Sequence, residues 1–484
     1  MNRPLRLLAI DIGAESGRGV VGSFDGGRLS VDEVHRFPNV AVRLGETLYW
    51  DFLRILGDVR EAIARAGDVR SVGVDTWGVD FGLLDARGRL LGNPVHYRDA
   101  RTAGTLERIE QRVTRQEIYA ATGVQFMEIN TLNQLFAQAD AQDPLLDAAE
   151  RLLLMPDLIN HFLCGSLVSE YTNATTTQCF DPRRGGWASG LLDRLGIPRR
   201  LFPEVVPPGT VLGELEDRAT RVIAPATHDT GSAVAACPLP TDGSTAFLSS
   251  GTWSLVGLEM PEPVIGEAAR EANMTNEGGV AGTTRLLKNV MGLWLVQEAR
   301  RALGAGGGVP PSYEELTALA EQAPSGTAFV DPDDARFLRP GDVRIAVASY
   351  CRETRQIPPD DAGTLVRVLL ESLALKYAAV LAQLEALTAR KLKSIYVAGG
   401  GARNELLCRL TASATGLPVL AGAVEATAIG NHIVQALALG ELASLREGRE
   451  LVARSFPAQS YEPHGNWRVA RERFAQVLST GVTA

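Results

Sequence analysis

Leu5-Arg6-Leu7-Leu8-Ala9-Ile10, followed by Asp11-Ile12-Gly13-Ala14-Glu15-Ser16-Gly17-Arg18-Gly19, is the stretch from which the fold is read. The first six residues form a short, mainly apolar run and read as a buried strand. The next nine carry three glycines and read as a turn. Working outward, residues 20–24 and 29–37 look like returning strands, split by the hairpin signal Asp25-Gly26-Gly27. Phe52, Leu56, Val59 and Ile63 recur at helical spacing and predict an amphipathic helix over 51–66. Residues 71–75 read as the next strand, ending at Thr76-Trp77-Gly78-Val79-Asp80, and 81–84 are strand-like again.

The second half repeats this outline. Residues 245–250 read as a strand, Gly251-Thr252 as a turn and 253–257 as a returning strand. A long apolar-striped helix is expected over 365–387. A strand at 394–398 ends in Gly399-Gly400-Gly401-Ala402-Arg403-Asn404, followed by a helix to about 414, a short strand at 418–421 and a small-residue helix at 426–440. Between the halves, 102–195 is mainly helical, and 303–311 and 331–334 read as loops. The expected fold is α/β, with two domains at 1–240 and 241–484. Pro238, Pro240, Asp242 and Gly243 mark the boundary.

The chain has 484 residues, 45% hydrophobic and 22% charged, as in a globular protein too long for one ordinary core. A net charge of −9 argues against a nucleic-acid binder. It leaves room for a nucleotide, since backbone amides and metal can hold phosphates. The five cysteines are odd in number and lack CxxC spacing, which suits free thiols in a reducing compartment. Six scattered histidines show no zinc-binding spacing. No run approaches the ~20 apolar residues of a membrane helix. Residues 1–4 enter the first strand without an apolar leader, so a cytoplasmic protein with no membrane partner is expected.

The first turn lacks the Lys-Ser/Thr of a Walker A loop, and its glycine spacing is not that of a dinucleotide fingerprint. It suits a hairpin whose amides line a phosphate, with Ser16 and Arg18 as added donors, or else an ordinary hairpin. Asp11, at the strand's end, is placed to hold a hydrated Mg²⁺. The turn Ser249-Ser250-Gly251-Thr252 is the second of the same kind. Two such turns, one per domain and facing across a cleft, would grip one polyphosphate. Three consecutive glycines at 399–401 suit close approach to an adenine or ribose, or a plain strand-to-helix turn. Ala226-Thr227-His228-Asp229-Thr230-Gly231-Ser232 reads as a strand end, a corner and a helix start. Asp229 is there either a helix N-cap or a general base for an attacking hydroxyl. His228 is either a donor to the substrate or a core histidine. Trp77 and Trp253 read as core or interface residues, with Trp77 also able to stack on a sugar.

Several stretches together resemble the FGGY family of carbohydrate kinases, within the actin/hexokinase/Hsp70 ATPase superfamily. They include Asp11-Ile12-Gly13-Ala14, Asp75-Thr76-Trp77-Gly78-Val79-Asp80-Phe81, Glu170-Tyr171-Thr172-Asn173-Ala174-Thr175-Thr176-Thr177-Gln178 and His228-Asp229-Thr230. Leu248-Ser249-Ser250-Gly251-Thr252-Trp253, Asn276-Glu277-Gly278-Gly279, Leu287-Lys288-Asn289-Val290-Met291-Gly292 and Val424-Glu425-Ala426-Thr427 continue the match. The second and third point to the branch of the family acting on L-rhamnulose.

The resemblance implies two ribonuclease-H-like (actin-like ATPase) domains with an interdomain catalytic cleft. It implies ATP-dependent phosphorylation of L-rhamnulose at its 1-hydroxyl, with ATP and Mg²⁺ as cofactors and a ketose as substrate. Asp229 matches the catalytic base. Ala14, Glu15, Ser16, Gly17, Arg18, Thr252, Gln297 and Gly400 match nucleotide-contacting positions, and Asp11 matches the Mg²⁺-supporting carboxylate. Gly78, His228, Asp229, Thr230 and Asn289 match sugar-contacting positions. Glu15 departs from the Ser or Thr common in relatives, and a carboxylate beside phosphates has to point outward or bind metal. The alternatives are another ketose (L-fuculose, D-xylulose), a non-catalytic sugar or nucleotide sensor, or an actin-like filament protein. A monomer or small homo-oligomer is expected.

Overall fold

The computed structural model describes all residues except 1–3, 26, 217–218, 306–308, 339–340 and 481–484. Gly26 of the hairpin signal and part of the 303–311 loop therefore lie outside the described residues. The chain forms two compact units, and they are not its two contiguous halves. The first comprises Met1–Pro238, Glu259–Leu287 and Glu425–Pro457, and the second Leu239–Leu258, Lys288–Val424 and Ala458–Ala484.

In the first unit six strands form one sheet, in the order Val211–Glu214, Arg221–Ile223, Ser71–Thr76, Leu5–Ile12, Ser16–Phe24 and Leu29–Pro38. Arg221–Ile223, Ser71–Thr76 and Leu5–Ile12 run parallel, and Ser16–Phe24 and Leu29–Pro38 turn back antiparallel. Burial on both faces explains why the central strands read as apolar runs rather than alternating ones. Two helices lie against the sheet where side chains are absent. A Cβ on Gly19 would lie 2.7 Å from that of Ala62, in the helix Phe52–Ala66. Gly22 faces the His432 ring, in the helix Ala426–Ala438. This second helix comes late in the chain yet belongs to the first unit. Gln435 Nε2 donates to Leu8 O at 2.9 Å, and Ser71 Oγ to Gln435 Oε1 at 2.6 Å. The same helix receives Asp229–Ala235, whose Ser232 carbonyl fills the space beside Gly430.

The 102–195 region is helical, as its composition predicts, and shares an apolar core around Leu135, Phe136, Leu152 and Leu192. A strand within it, Arg151–Leu154, pairs with Phe81–Leu84.

In the second unit Thr245–Ser250 pairs antiparallel with the strand beginning at Trp253 and parallel with Ser394–Ala398. Val419–Ala421 and Gln459–Tyr461 continue the ladder. The long helix Ala362–Thr388, with its apolar stripe buried, packs beside Glu405–Thr415 and Tyr313–Gln322.

Candidate active site

Strand register assembles the acidic residues. Asp11 stands opposite Asp75 on the neighbouring parallel strand, and Ile12 opposite Thr76. Thr76 in turn bridges to His228, with its N–H donating to Thr227 O at 2.9 Å. Asp11, Asp75 and Asp229 thus leave the C-terminal ends of three adjacent parallel segments, the end at which open α/β sheets bind ligands. Asp229 is the first residue of its helix; the N-cap position belongs to His228, which makes no side-chain capping bond. Asp229 Oδ1 accepts from Thr230 N at 2.5 Å and Thr230 Oγ1 at 3.1 Å. Its side chain is 30% exposed. Burial raises its pKa, with His228 opposing and Asp11 adding to the rise.

Arg18 couples the first turn to these carboxylates. Its Nε and Nη2 donate to Asp11 Oδ2 at 3.0 and 2.8 Å, and its Nη1 lies 2.7 Å from Glu425 Oε2. Asp75 is fully buried and takes a 2.5 Å hydrogen bond from Asn431 Nδ2, while its Oδ1 has no partner. Burial and the neighbouring Asp11 push its carboxyl well above the usual range. Among the described residues no group of three His, Cys, Asp or Glu is arranged to hold a metal ion. With Asp11 Oδ2 already engaged, the site fits a hydrated dication carried on phosphates, touching one carboxylate through water, rather than a chelated one.

The turn itself is pinned by Asn39, which donates from Nδ2 to Gly13 O and from N to Glu15 O, both at 2.9 Å. Ala14 and Ser16 are half-buried, and Glu15 is exposed. The Phe37 ring occupies the space a Cβ on Gly17 would need, and Gly19 abuts Ala62. Of the turn's glycines only Gly13 is uncrowded, its nearest neighbour being Ser16 O at 3.6 Å. Packing therefore accounts for Gly17 and Gly19.

A loop and a helical segment frame the corner bearing Asp229. Val79 is held at φ 71°, an outlier for a β-branched residue, as the chain leaves Gly78. Gly78 faces Thr176, whose Oγ1 would lie 2.9 Å from a Cβ there. Asp80 anchors this loop. Its Oδ2 accepts from Trp50 Nε1 at 2.6 Å, Trp77 Nε1 at 2.9 Å and Tyr97 N at 3.2 Å, and its Oδ1 from Gln134 Nε2 at 2.9 Å. Trp77 is buried, 4.2 Å from the Trp50 ring, and serves as a core residue. Glu170 fastens the Thr-rich segment to the corner. It accepts from Thr172 N and Oγ1 at 2.8 and 2.5 Å, and from Thr227 N and Oγ1 at 2.9 and 2.8 Å. His228 is buried against Arg285 and Glu277. Sequence reasoning assigned no chemistry to Asp80, Glu170, Glu277 or Arg285. The first three lie inside stretches that carry the family resemblance; Arg285 carries no local signal.

In the second unit, Thr252 sits in the turn closed by Gly251 N donating to Trp253 O at 2.9 Å. Gly292 N donates to Thr252 O at 3.1 Å, and Leu293 N to Gly251 O at 2.9 Å. A Cβ on Gly292 would lie 2.8 Å from Gly251 O, so glycine is required there. The helix Trp294–Gly304 starts here and carries Gln297, whose buried Oε1 lacks a partner. Gly399, at φ 85°, and Gly401 both sit against Ser250, whereas a Cβ on Gly400 would meet nothing within 4 Å. Asn289 is half-buried in the strand Thr284–Met291. Among the sequence-predicted residues, Asp11, Ala14 to Arg18, Gly78, His228, Asp229 and Thr230 belong to the first unit. Thr252, Asn289, Gln297 and Gly400 belong to the second.

Residues 7–227 match the N-terminal domain of the FGGY family of carbohydrate kinases, and residues 246–439 match its C-terminal domain. The chain belongs to the FGGY family of carbohydrate kinases. As an FGGY kinase it is an ATP-dependent sugar phosphotransferase. A rhamnulokinase of Bacteroides thetaiotaomicron is 42% identical over 467 residues, covering 94% of this FGGY chain and 95% of its relative. One from Oceanobacillus iheyensis is 39% identical over 465 residues, covering 94% and 97%. The FGGY fold is shared with a ligand-bound xylulose kinase from Lactobacillus acidophilus (TM-score 0.77, 17% identity, covering 98% and 96%). Plasmodium falciparum glycerol kinase with ADP is also similar (TM-score 0.74, 14% identity, covering 99% and 98%). The expected two-domain, actin-like ATPase fold is borne out. Among the described residues no helix is long and apolar enough to cross a membrane.

Proposed function

We propose that this FGGY kinase transfers the terminal phosphoryl group of ATP to the 1-hydroxyl of L-rhamnulose, giving L-rhamnulose 1-phosphate and ADP. The observation that carries the mechanism is Asp229, a partly exposed carboxylate at a strand-end corner whose surroundings are buried and hydrogen-bonded. Similarity to rhamnulokinases at about 40% identity along the whole chain supports the choice of sugar.

Phosphoryl transfer needs positioning, charge neutralisation and one base. Asp229 takes the proton of the 1-hydroxyl as its oxygen bonds to the terminal phosphorus; the bond to the β-phosphate oxygen breaks and ADP leaves. Gly78, His228, Thr230 and Asn289 orient the ketose. Residues 14–18, Thr252, Gln297 and Gly400 hold the nucleotide, so that 1–240 carries most of the sugar site, the base and the first phosphate turn, and 241–484 the other nucleotide contacts. Mg²⁺, held through water by Asp11, would offset phosphate charge. The exposure of Glu15 suits a carboxylate kept clear of the phosphates. The cysteines are all unpaired, and a cytoplasmic setting suits them.

A coupled assay of ADP formation with L-rhamnulose, L-fuculose, D-xylulose and glycerol tests the proposal. The highest kcat/KM is expected with L-rhamnulose. A higher value with another ketose would reassign the substrate, and no sugar-dependent ADP release would favour a non-catalytic sensor.

A further inference from the structure

Arg285 is fully buried, a costly place for a guanidinium unless it has partners. It stands directly across the strand pair from Glu277. Its Nε donates to Gly278 O at 2.8 Å, and its Nη1 lies 3.3 Å from Glu277 Oε2. Its Nη2 lies 3.2 Å from His228 Nδ1 in hydrogen-bonding geometry. Gly278 makes this approach possible. The Tyr171 ring fills the space a Cβ would need, and Gly278 N donates to Thr175 Oγ1 at 2.7 Å.

The chemistry of the pair decides the ring. Arginine has donors and no acceptor, so a hydrogen bond from Arg285 Nη2 makes His228 Nδ1 the acceptor and places the ring proton on Nε2, whereas an Nδ1–H would turn to Glu277 Oε2 instead. Glu277 Oε2, 3.3 Å from both Nδ1 and Arg285 Nη1, balances the guanidinium charge. Nε2 faces Asp229 Oδ1 at 3.5 Å, too long for a hydrogen bond. The Nε2–H is therefore available to a hydroxyl lying against Asp229.

We propose that Arg285 is a positioning residue for phosphoryl transfer. By donating to His228 Nδ1 it fixes the imidazole with its proton on Nε2, which is presented to the sugar beside Asp229. On this reading His228 is a donor to the sugar rather than a core histidine. The inference rests on the reading of Asp229 as the base.

Ring ¹⁵N spectra of the histidine-labelled, sugar-free protein test it directly, with the His228 signal identified by its loss in His228→Gln. The expected pattern has the proton on Nε2; a proton on Nδ1 would overturn the proposal. Arg285→Lys keeps a cation beside Glu277 but loses the planar fork. It is expected to lower kcat about tenfold or more at unchanged KM for ATP, by analogy with the partners that orient metal-bound imidazoles. Wild-type kcat in that variant would also overturn it, and if the variant does not fold the wild-type spectrum alone decides. Failure to phosphorylate L-rhamnulose would undo the choice of sugar without altering the ring spectrum, so the two readings fail separately.

Discussion

Asp80, in a loop, and Asp229, at the start of a helix, are both acidic residues with upward-shifted pKa values beyond the same end of one sheet, and they are hydrogen-bonded in opposite ways. Asp80 is fully buried, and two indoles, a backbone amide and a glutamine side chain donate to it. Asp229 receives hydrogen bonds only from Thr230 among the described residues, and it keeps 30% of its side chain exposed. A carboxylate whose lone pairs are taken up by the protein holds a loop in place. One with lone pairs to spare can accept a proton from a substrate. Burial alone does not distinguish an anchor from the proposed base; the donor count does.

The strongest way to break this comparison is Asp229→Asn. It should lower kcat by about 10³-fold, within the range for losing a general base, with sugar binding and thermal midpoint nearly unchanged. A steady-state assay beside a melting curve checks both, and retention of wild-type kcat would end the assignment. Next, Asp80→Asn turns one acceptor into an NH₂ facing donors already in place. An unfolding free energy lower by about 3 kcal/mol is expected, since unsatisfied buried polar groups cost about 1–3 kcal/mol each. Denaturant titration measures it, and a loss below about 1 kcal/mol would show that Asp80 does not anchor the loop.

A pH series sharpens the contrast. Burial lifts Asp80 from 3.8 to about 6. Its protonated form is therefore favoured by folding, so its contribution is fully present below the unfolded value and is lost as pH rises through about 6. Wild-type stability should decline over pH 4–7 relative to Asp80→Asn. Asp229 must be ionised to act, so kcat should fall as pH drops through its raised pKa, approaching tenfold per pH unit well below it. One residue is read in stability and the other in rate; parallel kcat and unfolding profiles that moved together would contradict this. The smallest effect is expected from Val79→Gly, which relieves the positive φ beside Asp80 and should raise stability by no more than about 1 kcal/mol, measured by the same titration.

Legibility along the chain followed local pattern. The strands Leu5–Ile12 and Thr245–Ser250 and the helices Phe52–Ala66 and Ala362–Thr388 announce themselves through apolar runs or helical periodicity. The hairpin Ala41–Leu44 with Thr47–Trp50 did not, because its first strand is largely exposed and its second shows no apolar alternation. Thr275–Gly278 and Thr284–Met291 escaped too. Their buried polar residues, Asn276, Glu277 and Arg285, look like loop composition until paired with each other and with His228. The glycines carry a reason the local pattern leaves out. Gly17, Gly399 and Gly401 are glycine because Phe37 and Ser250 occupy the space beside them. That reason lies far off in the sequence.

The sequence by itself determined the α/β class, the two glycine-bearing turns, the family resemblance and Asp229 as the candidate base. Each of these depends on residues adjacent in the chain, where spacing and residue type set the local chemistry. Only the tertiary structure decided that 425–457 joins the first unit, that His228 takes the N-cap position, and which partners Asp80, Glu170 and Arg285 bond to. Those are hydrogen bonds and close contacts between segments tens to hundreds of residues apart. Their partners become known only once strand register and helix packing bring them within about 3 Å of each other.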